Sequence, residues 1–348
     1  MGEAPPVKDH LLISYGRDLP EWLLEETRAK FPEAEVSAIQ LANFAPIPAE
    51  IARRATLLVT FSNLPAPEDA TKPPPLPSHH QIYLYPHHLQ LRHPRPPIAE
   101  WTIMNWLVAS RHFIYTHTNQ QNHLWQRDES VMDTVHDQVG KKVGILGYGS
   151  IGRQIGRVAS ALGMQVHAYT ASPRPTPASR IDHGYIVPGT GDHDGTIPVS
   201  WHHGTSKASI HEFLSLGLDH LVVALPLTPQ TTRLLGAEEF EILNRGVPSS
   251  RARPYLTNIS RGKVLDQEAL ISALKGGVLS GAALDVADPE PLPADDPLWD
   301  APNVQISPHV SSAGREYMPR SLDILKVNLG RLERGEELLN ILHRGRGY

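Results

Sequence analysis

Apolar and polar positions alternate along the first sixty residues in a rhythm of short apolar runs and helical stripes: Leu11–Tyr15 apolar, Glu21–Lys30 helical, Glu35–Ile39 extended, Ala49–Ala55 helical, Leu57–Phe61 apolar. That order is β-α-β-α-β, the beginning of an open parallel sheet. The rhythm stops between Pro65 and Pro97, where ten prolines and five histidines (His79, His80, His87, His88, His93) fall within 33 residues. Each proline removes a ladder donor, so this stretch cannot make a central strand, and the histidines lack the i, i+4 spacing of a helical metal site. It reads as an irregular solvated loop. Helical periodicity resumes at Ile98 and runs through Trp101, Met104, Trp106 and Phe113. A second βα series starts at Lys141, with strands expected at Val143–Leu146, Val166–Tyr169, Leu221–Leu225, Tyr255–Ile259, Ala282–Val286 and Val304–Ile306. Six apolar strands separated by helical segments describe a doubly wound parallel sheet of the dinucleotide-binding kind. A polar, Gly/Pro-rich stretch at about 172–204 reads as a surface insertion, and Gly314 to Arg334 as a last amphipathic helix.

Composition narrows the function classes. The 348 residues suffice for two domains; 40% are hydrophobic, 20% charged, and the net charge of -5 offers no polycationic field, so a dedicated nucleic-acid binder is not expected. With no cysteine, thiolate metal sites, iron–sulfur clusters and cysteine nucleophiles are excluded together. No run approaches the roughly 18 apolar residues of a membrane span, and MGEAPPVKDH lacks a signal-peptide core, so a cytoplasmic protein with no membrane partner is expected.

The first chemical signal is Gly147-Tyr148-Gly149-Ser150-Ile151-Gly152, set between a predicted strand and a helix that begins at Ser150. Gly147 permits the tight turn, Gly149 lets backbone approach a pyrophosphate, and Gly152 lets the helix pack on the strand, with the helix N-terminus facing the anion. A purely structural turn or a methyltransferase-type loop are the alternatives. About 20 residues on, where an Asp or Glu would bind the 2′-hydroxyl of NAD, stand Thr170, Ser172 and Arg174 with no acid. Neutral and cationic groups there accept a 2′-phosphate that a carboxylate would repel, which favours NADP(H) over NAD(H) unless Arg174 is only a solvated loop arginine. Arg261, Glu290 and His309 each follow a predicted strand, where a doubly wound sheet places its ligand crevice. They are an anion holder, a carboxylate and a proton donor, the set that carbonyl reduction requires.

In this order and after the glycine turn, these segments closely resemble the D-isomer-specific 2-hydroxyacid dehydrogenases. The resemblance runs from about Ile98 to about Leu332 and includes Pro226-Leu-Thr-Pro-Gln-Thr231, Asn258–Leu270, Asp285–Pro291 and Pro308–Ser312. It implies a Rossmann domain at 107–310 and a smaller, flavodoxin-like, discontinuous substrate domain built from 1–106 and 311–348, in a homodimer. It implies His309 as general acid/base, Glu290 as its partner and Arg261 as substrate anchor. It also implies Asp285 on the nicotinamide carboxamide, with Leu225, Pro226, Thr231, Ile259 and Ser260 along the cofactor and no metal. Glu290 stands where the formate-oxidising branch carries glutamine, and the missing ribose acid is more like the glyoxylate and hydroxypyruvate reductase branch. The departure is Pro65–Pro97, which replaces the glycine-rich loop expected to hold the substrate carboxylate. Weak or absent activity on small 2-keto acids is therefore expected, and a dinucleotide-binding regulatory protein is the rival reading.

Overall fold

The computed structural model describes residues 9–15, 18–41, 45, 47–52, 57–60, 82–84, 96–248 and 250–339. The chain divides into two compact units, Met1–Leu91 with Gly314–Tyr348, and Arg92–Ala313.

The first unit holds a four-stranded parallel sheet of β1 (His10–Tyr15), β2 (Glu35–Gln40), β3 (Leu57–Thr60) and β4 (Ile82–Leu84), in the order β2-β1-β3-β4. This is the flavodoxin-like order, with β1 giving its apolar Leu11 and Ile13 to one core. The helices Glu21–Lys30 and Tyr317–Glu333 fill that core with Leu23 and with Met318, Leu322 and Leu325. Lys30 Nζ donates to Asp323 Oδ1 at 2.5 Å and to the Pro319 carbonyl at 3.2 Å, tying the two helices across almost the whole sequence. β4 lies inside the stretch read as an irregular loop. It occupies the proline-free run Ile82-Tyr-Leu84 and is the last strand of this sheet among the described residues. The five histidines of that stretch lie outside the described residues.

The second unit is a seven-stranded parallel sheet: β5 (Lys142–Leu146), β6 (Gln165–Thr170), β7 (Ser200–His203), β8 (His220–Val223), β9 (Tyr255–Asn258), β10 (Gly281–Leu284) and β11 (Val304–Ile306). Its order, β11-β10-β9-β8-β5-β6-β7, reverses between β5 and β8, which makes it doubly wound with its switch point at β5. β5, β8, β9 and β10 are buried nearly throughout, as strands covered by helices on both faces must be. β7 is the strand beyond the six expected: Ser-Trp-His-His has no apolar run because it pairs only with β6 at the edge.

The boundary expected at residue 106 falls inside a helix. The helix Pro96–Ser110 belongs whole to the second unit, because Ile98, Ala99, Ile103 and Trp106 share a core with Val143, Ile145, Ile155 and Ala159. Trp106 is fully buried and donates its indole N–H to Thr257 Oγ1 at 2.9 Å, so truncating it to alanine would cost about 3–5 kcal/mol. The segment read as a surface insertion is likewise more than a surface excursion, since Asp192 within it is buried. No helix among the described residues is long and apolar enough to cross a membrane.

Candidate active site

The three glycines of the turn after β5 meet three different surroundings. Gly147 has φ 99°, and a Cβ there would strike the Ala224 carbonyl beside the start of the Leu225 loop. A Cβ on Gly152 would collide with the Gly147 carbonyl and Ile145, so glycine is what lets the helix Ser150–Ala161 pack on the strand. Gly149 is exposed, and nothing lies within 4 Å of where its Cβ would be. This open space stands over a helix N-terminus with no side-chain cap, next to a buried Ser150 hydroxyl without a protein partner, and suits an incoming phosphate.

Around this turn, Thr231 Oγ1 donates to the Pro226 carbonyl at 2.7 Å and accepts the Thr228 N–H at 2.8 Å, which closes the loop that carries half-buried Leu225 and Pro226. Ile259 is buried at the end of β9. At the end of β6, Thr170 Oγ1 donates to the Ser172 carbonyl at 2.8 Å. Arg174 is exposed with one N–H on the Ser179 carbonyl at 2.6 Å, and Arg180 Nε donates to the Arg174 carbonyl at 3.0 Å.

Glu290 and His309 come together. Nδ1 of His309 lies 3.3 Å from Glu290 Oε2, and the other carboxylate oxygen accepts the Ala287 N–H at 3.2 Å. His309 takes φ 57°, a left-handed conformation uncommon outside glycine, so its turn needs outside support. Asp285 supplies it. Only 2% exposed, it accepts the Ser307 hydroxyl at 2.6 Å and the N–H groups of Val310 and Ser311 at 2.8 and 3.0 Å, while its own carbonyl takes the His309 N–H at 2.9 Å. The structure thus sets the Asp285 carboxylate under the His309 turn.

Arg261 stands exposed at the N-terminus of a short 3-10 turn, with one guanidinium N–H on the Ser260 carbonyl at 2.6 Å. Its backbone is fixed by fully buried Asn258, which donates to the Arg261 carbonyl at 3.1 Å and accepts both the N–H and the hydroxyl of Ser260. A Cβ on Gly262 would run into the Ala287 carbonyl, so the Arg261 turn and the loop leading to Glu290 are in close backbone contact. Gln267 links them again by accepting the Asp288 N–H at 3.2 Å. Asn258 and Gln267 lie within the Asn258–Leu270 stretch of the resemblance, but the sequence assigns neither a role. Their one signal is a polar residue at the end of an apolar strand or the start of a helix.

Among the described residues, one cluster has metal-ligand types: His211, Glu238 and Glu239. Lys207 already fills it, with its ammonium 2.9 and 3.2 Å from the two carboxylates.

The family model for the NAD-binding domain of D-isomer specific 2-hydroxyacid dehydrogenases matches residues 103–186 and 194–311. The chain belongs to that family and carries its nicotinamide-dinucleotide domain. A glyoxylate reductase of Korarchaeum cryptofilum is 32% identical over 209 residues, 60% of this chain and 54% of that one. A hydroxypyruvate reductase of Blautia hydrogenotrophica is 31% identical over 205 residues, 59% of this chain and 54% of that one. The chain thus spans about half the length of these curated relatives. Among solved structures, a D-isomer specific 2-hydroxyacid dehydrogenase from Xanthobacter autotrophicus Py2 in complex with NADPH and MES has a TM-score of 0.66 at 24% identity, covering 98% of this chain and 100% of that one. An NADPH-dependent glyoxylate/hydroxypyruvate reductase from Sinorhizobium meliloti in complex with NADP and sulfate has a TM-score of 0.63 at 23% identity, covering 98% and 100%. At that identity these two establish the two-domain fold.

Proposed function

We propose that this chain is an NAD(P)H-dependent oxidoreductase interconverting small 2-keto acids and D-2-hydroxy acids of the glyoxylate or hydroxypyruvate kind. The observation that carries the reading is the His309–Glu290 pair at 3.3 Å, placed at the C-terminal edge of a sheet whose switch-point turn leaves open space over Gly149. The bound dinucleotide supplies the hydride. His309 supplies the proton that the carbonyl oxygen takes up, and Glu290 holds a proton on Nδ1, which leaves Nε2 as the nitrogen that exchanges with substrate. Arg261 spends one N–H on Ser260, and the rest of its planar fork suits a carboxylate bidentately. The reductase names of the relatives fit the same substrate class.

NADP(H) is the favoured cofactor. No acid follows β6, Arg174 and Arg180 lie together in the following loop, and the structural neighbours in complex with NADP or NADPH point the same way. The homodimer is supported by the apolar side chains of Phe113, Ile114, Leu124 and Trp125, all exposed along one helix and the turn after it. Sedimentation equilibrium at two concentrations of the whole chain reads it directly.

The test is a steady-state assay with glyoxylate and hydroxypyruvate against NADPH and NADH in parallel, beside titration calorimetry. One dinucleotide site per chain is expected, and Gly149→Val should abolish it by filling the open approach. No heat from either dinucleotide on folded protein sinks the reading at its root. Binding without turnover moves the protein to the rival class of dinucleotide-binding regulators. Arg174→Ala should weaken NADPH more than NADH by about 1.5–3 kcal/mol if the guanidinium pairs with the 2′-phosphate. Equal losses make it a bystander.

A further inference from the structure

The match to the family model skips residues 187–193, the tip of the stretch between β6 and β7. That segment turns sharply, with Gly189 at φ 79° and Gly191 at φ 68°, and brings Asp192 to a position only 5% exposed. Asp192 holds the segment's own shape by accepting the N–H groups of Thr196 at 3.1 Å and Ile197 at 3.3 Å. Its carboxylate also accepts the Tyr148 hydroxyl at 3.0 Å. Tyr148 is the residue between Gly147 and Gly149, is buried, and lies edge-on to Trp201 at 5.2 Å between ring centroids. Gly156 leaves it room: a Cβ there would stand 2.7 Å from the phenol oxygen.

The helix that follows the turn reaches the same segment from three positions. Arg153 donates to the carbonyls of Asp192 and Arg180, Gln154 Oε1 accepts the Gly191 N–H at 2.7 Å, and Arg157 donates to the Gly191 carbonyl at 3.3 Å. Arg153 and Gln154 are buried, so these contacts with the segment are made away from solvent. Burial and the neighbouring Asp192 push the Tyr148 phenol far above its usual range, so it remains a donor at any pH where the protein folds.

We propose that segment 187–193 clamps the glycine turn, with Asp192 and Tyr148 as positioning residues that fix the turn in the shape a dinucleotide pyrophosphate requires. Glycines at 147, 149 and 152 give the turn no side chains of its own to hold it. Tyr148 is the one aromatic side chain in it, and Asp192 is what its polar end meets. A turn held before binding loses less conformational freedom on binding, which is where the gain in affinity arises. The inference rests on reading Gly147–Gly152 as the pyrophosphate turn.

Tyr148→Phe and Asp192→Asn in the whole chain test it, with NADPH and NADH titrated calorimetrically and amide exchange of residues 147–152 measured without any dinucleotide. Both variants should bind both dinucleotides about tenfold more weakly, the effect of one buried hydrogen bond, and by the same factor for each. Exchange at 147–152 should quicken in both variants while β9 stays protected. Asp194→Asn alters an exposed side chain of the same insertion that pairs with His193 and does not touch Tyr148, and should leave both measurements unchanged. Tyr148→Phe keeps the ring, so it decides the matter if Asp192→Asn does not fold. Unchanged affinity and unchanged exchange overturn the clamp, as does a loss confined to NADPH, which would assign Asp192 to the 2′-phosphate loop instead. If the unmodified chain binds neither dinucleotide, the pyrophosphate reading fails by itself, and the exchange measurement still decides whether the segment holds the turn.

Discussion

Arg261, Glu290 and His309 stand beyond the C-terminal ends of β9, β10 and β11, with the side chains of His309 and Glu290 46% and 39% exposed. Beneath them the supports are buried: Asn258 under Arg261, and Asp285 under His309. The opposite edge, where β5, β8 and β9 begin, inverts this arrangement. Asp219 and His220 are themselves buried there, Asp219 accepting the Lys142 N–H at 2.7 Å and pairing with Arg251, and His220 packed against Trp106 at 4.5 Å between ring centroids. Burial, with Lys141 and His136 nearby, holds the His220 imidazole well below its ordinary range, and burial lowers Lys141 as well. One edge keeps its ionisable side chains in solvent, while the other buries Asp219 and His220 and, by burying it, disfavours the charged form of the His220 imidazole.

The largest expected break in this comparison is His309→Asn. If His309 is the proton donor, turnover should fall by about 10²–10⁴ while unfolding shifts by no more than about 0.5 kcal/mol, because the side chain is exposed. Turnover within tenfold of the unmodified chain would take His309 out of the reaction.

Asp285→Ala should damage both properties at once. It strands the Ser307 hydroxyl and the N–H groups of Val310 and Ser311, and an unpaired buried group costs about 1–3 kcal/mol, so denaturant unfolding of the second unit should lose about 3–4 kcal/mol after partial relaxation. Turnover should fall too, because the left-handed turn carrying His309 is no longer held. A stable variant with only its activity lost would mean that Asp285 acts on ligand rather than on the turn.

The buried histidines sharpen the contrast through pH. Burial first, then the Lys142 and His202 charges, lower His167 to about 4, and His220 lies well below its usual value. Both are neutral in the folded chain, whereas the unfolded chain takes up their protons below about pH 6.5. Stability is therefore whole above that pH and falls as pH drops toward about 4, by about 3 kcal/mol for His167 alone. His220→Phe, which keeps a ring against Trp106, should flatten part of this acid limb in urea titrations between pH 7 and 4. An acid limb of unchanged slope would remove His220 from the account.

The sequence pattern read the sheet well and the supports poorly, for a physical reason. Apolar runs mark strands buried on both faces, so β5, β6, β8, β9 and β10 show in the chain, as does the half-buried edge strand β11 through Val304 and Ile306, and so do the three glycines whose roles differ only by backbone geometry. An edge strand needs no such run: β7 is Ser-Trp-His-His, and β4 hides among prolines. Polar supports have no period at all. Asp192 looks like any acid in a Gly-rich loop until the fold brings Tyr148 to it, and Asn258 is recognisable only by the turn that it closes. An apolar helix such as Pro96–Ser110 does not declare in the sequence which of two cores it joins.

The smallest expected effect is the stability change in Glu290→Gln. The contact of Glu290 with His309 spans 3.3 Å between two side chains that each keep more than a third of their surface in solvent, and even fully charged pairs of this exposure contribute only about 0.2–1 kcal/mol. Glutamine retains an oxygen for the Ala287 N–H, so the backbone of the 287–290 turn keeps its partner. Unfolding should therefore move by less than about 0.5 kcal/mol, well under the change from Asp285→Ala, while turnover drops because His309 loses the acceptor that fixes its Nδ1 proton. Measured side by side in the same buffer, the two variants separate a carboxylate that holds the fold from one that orients the reacting imidazole. If Glu290→Gln destabilises as much as Asp285→Ala, the exposed edge is as structural as the buried one, and the contrast between the two edges disappears.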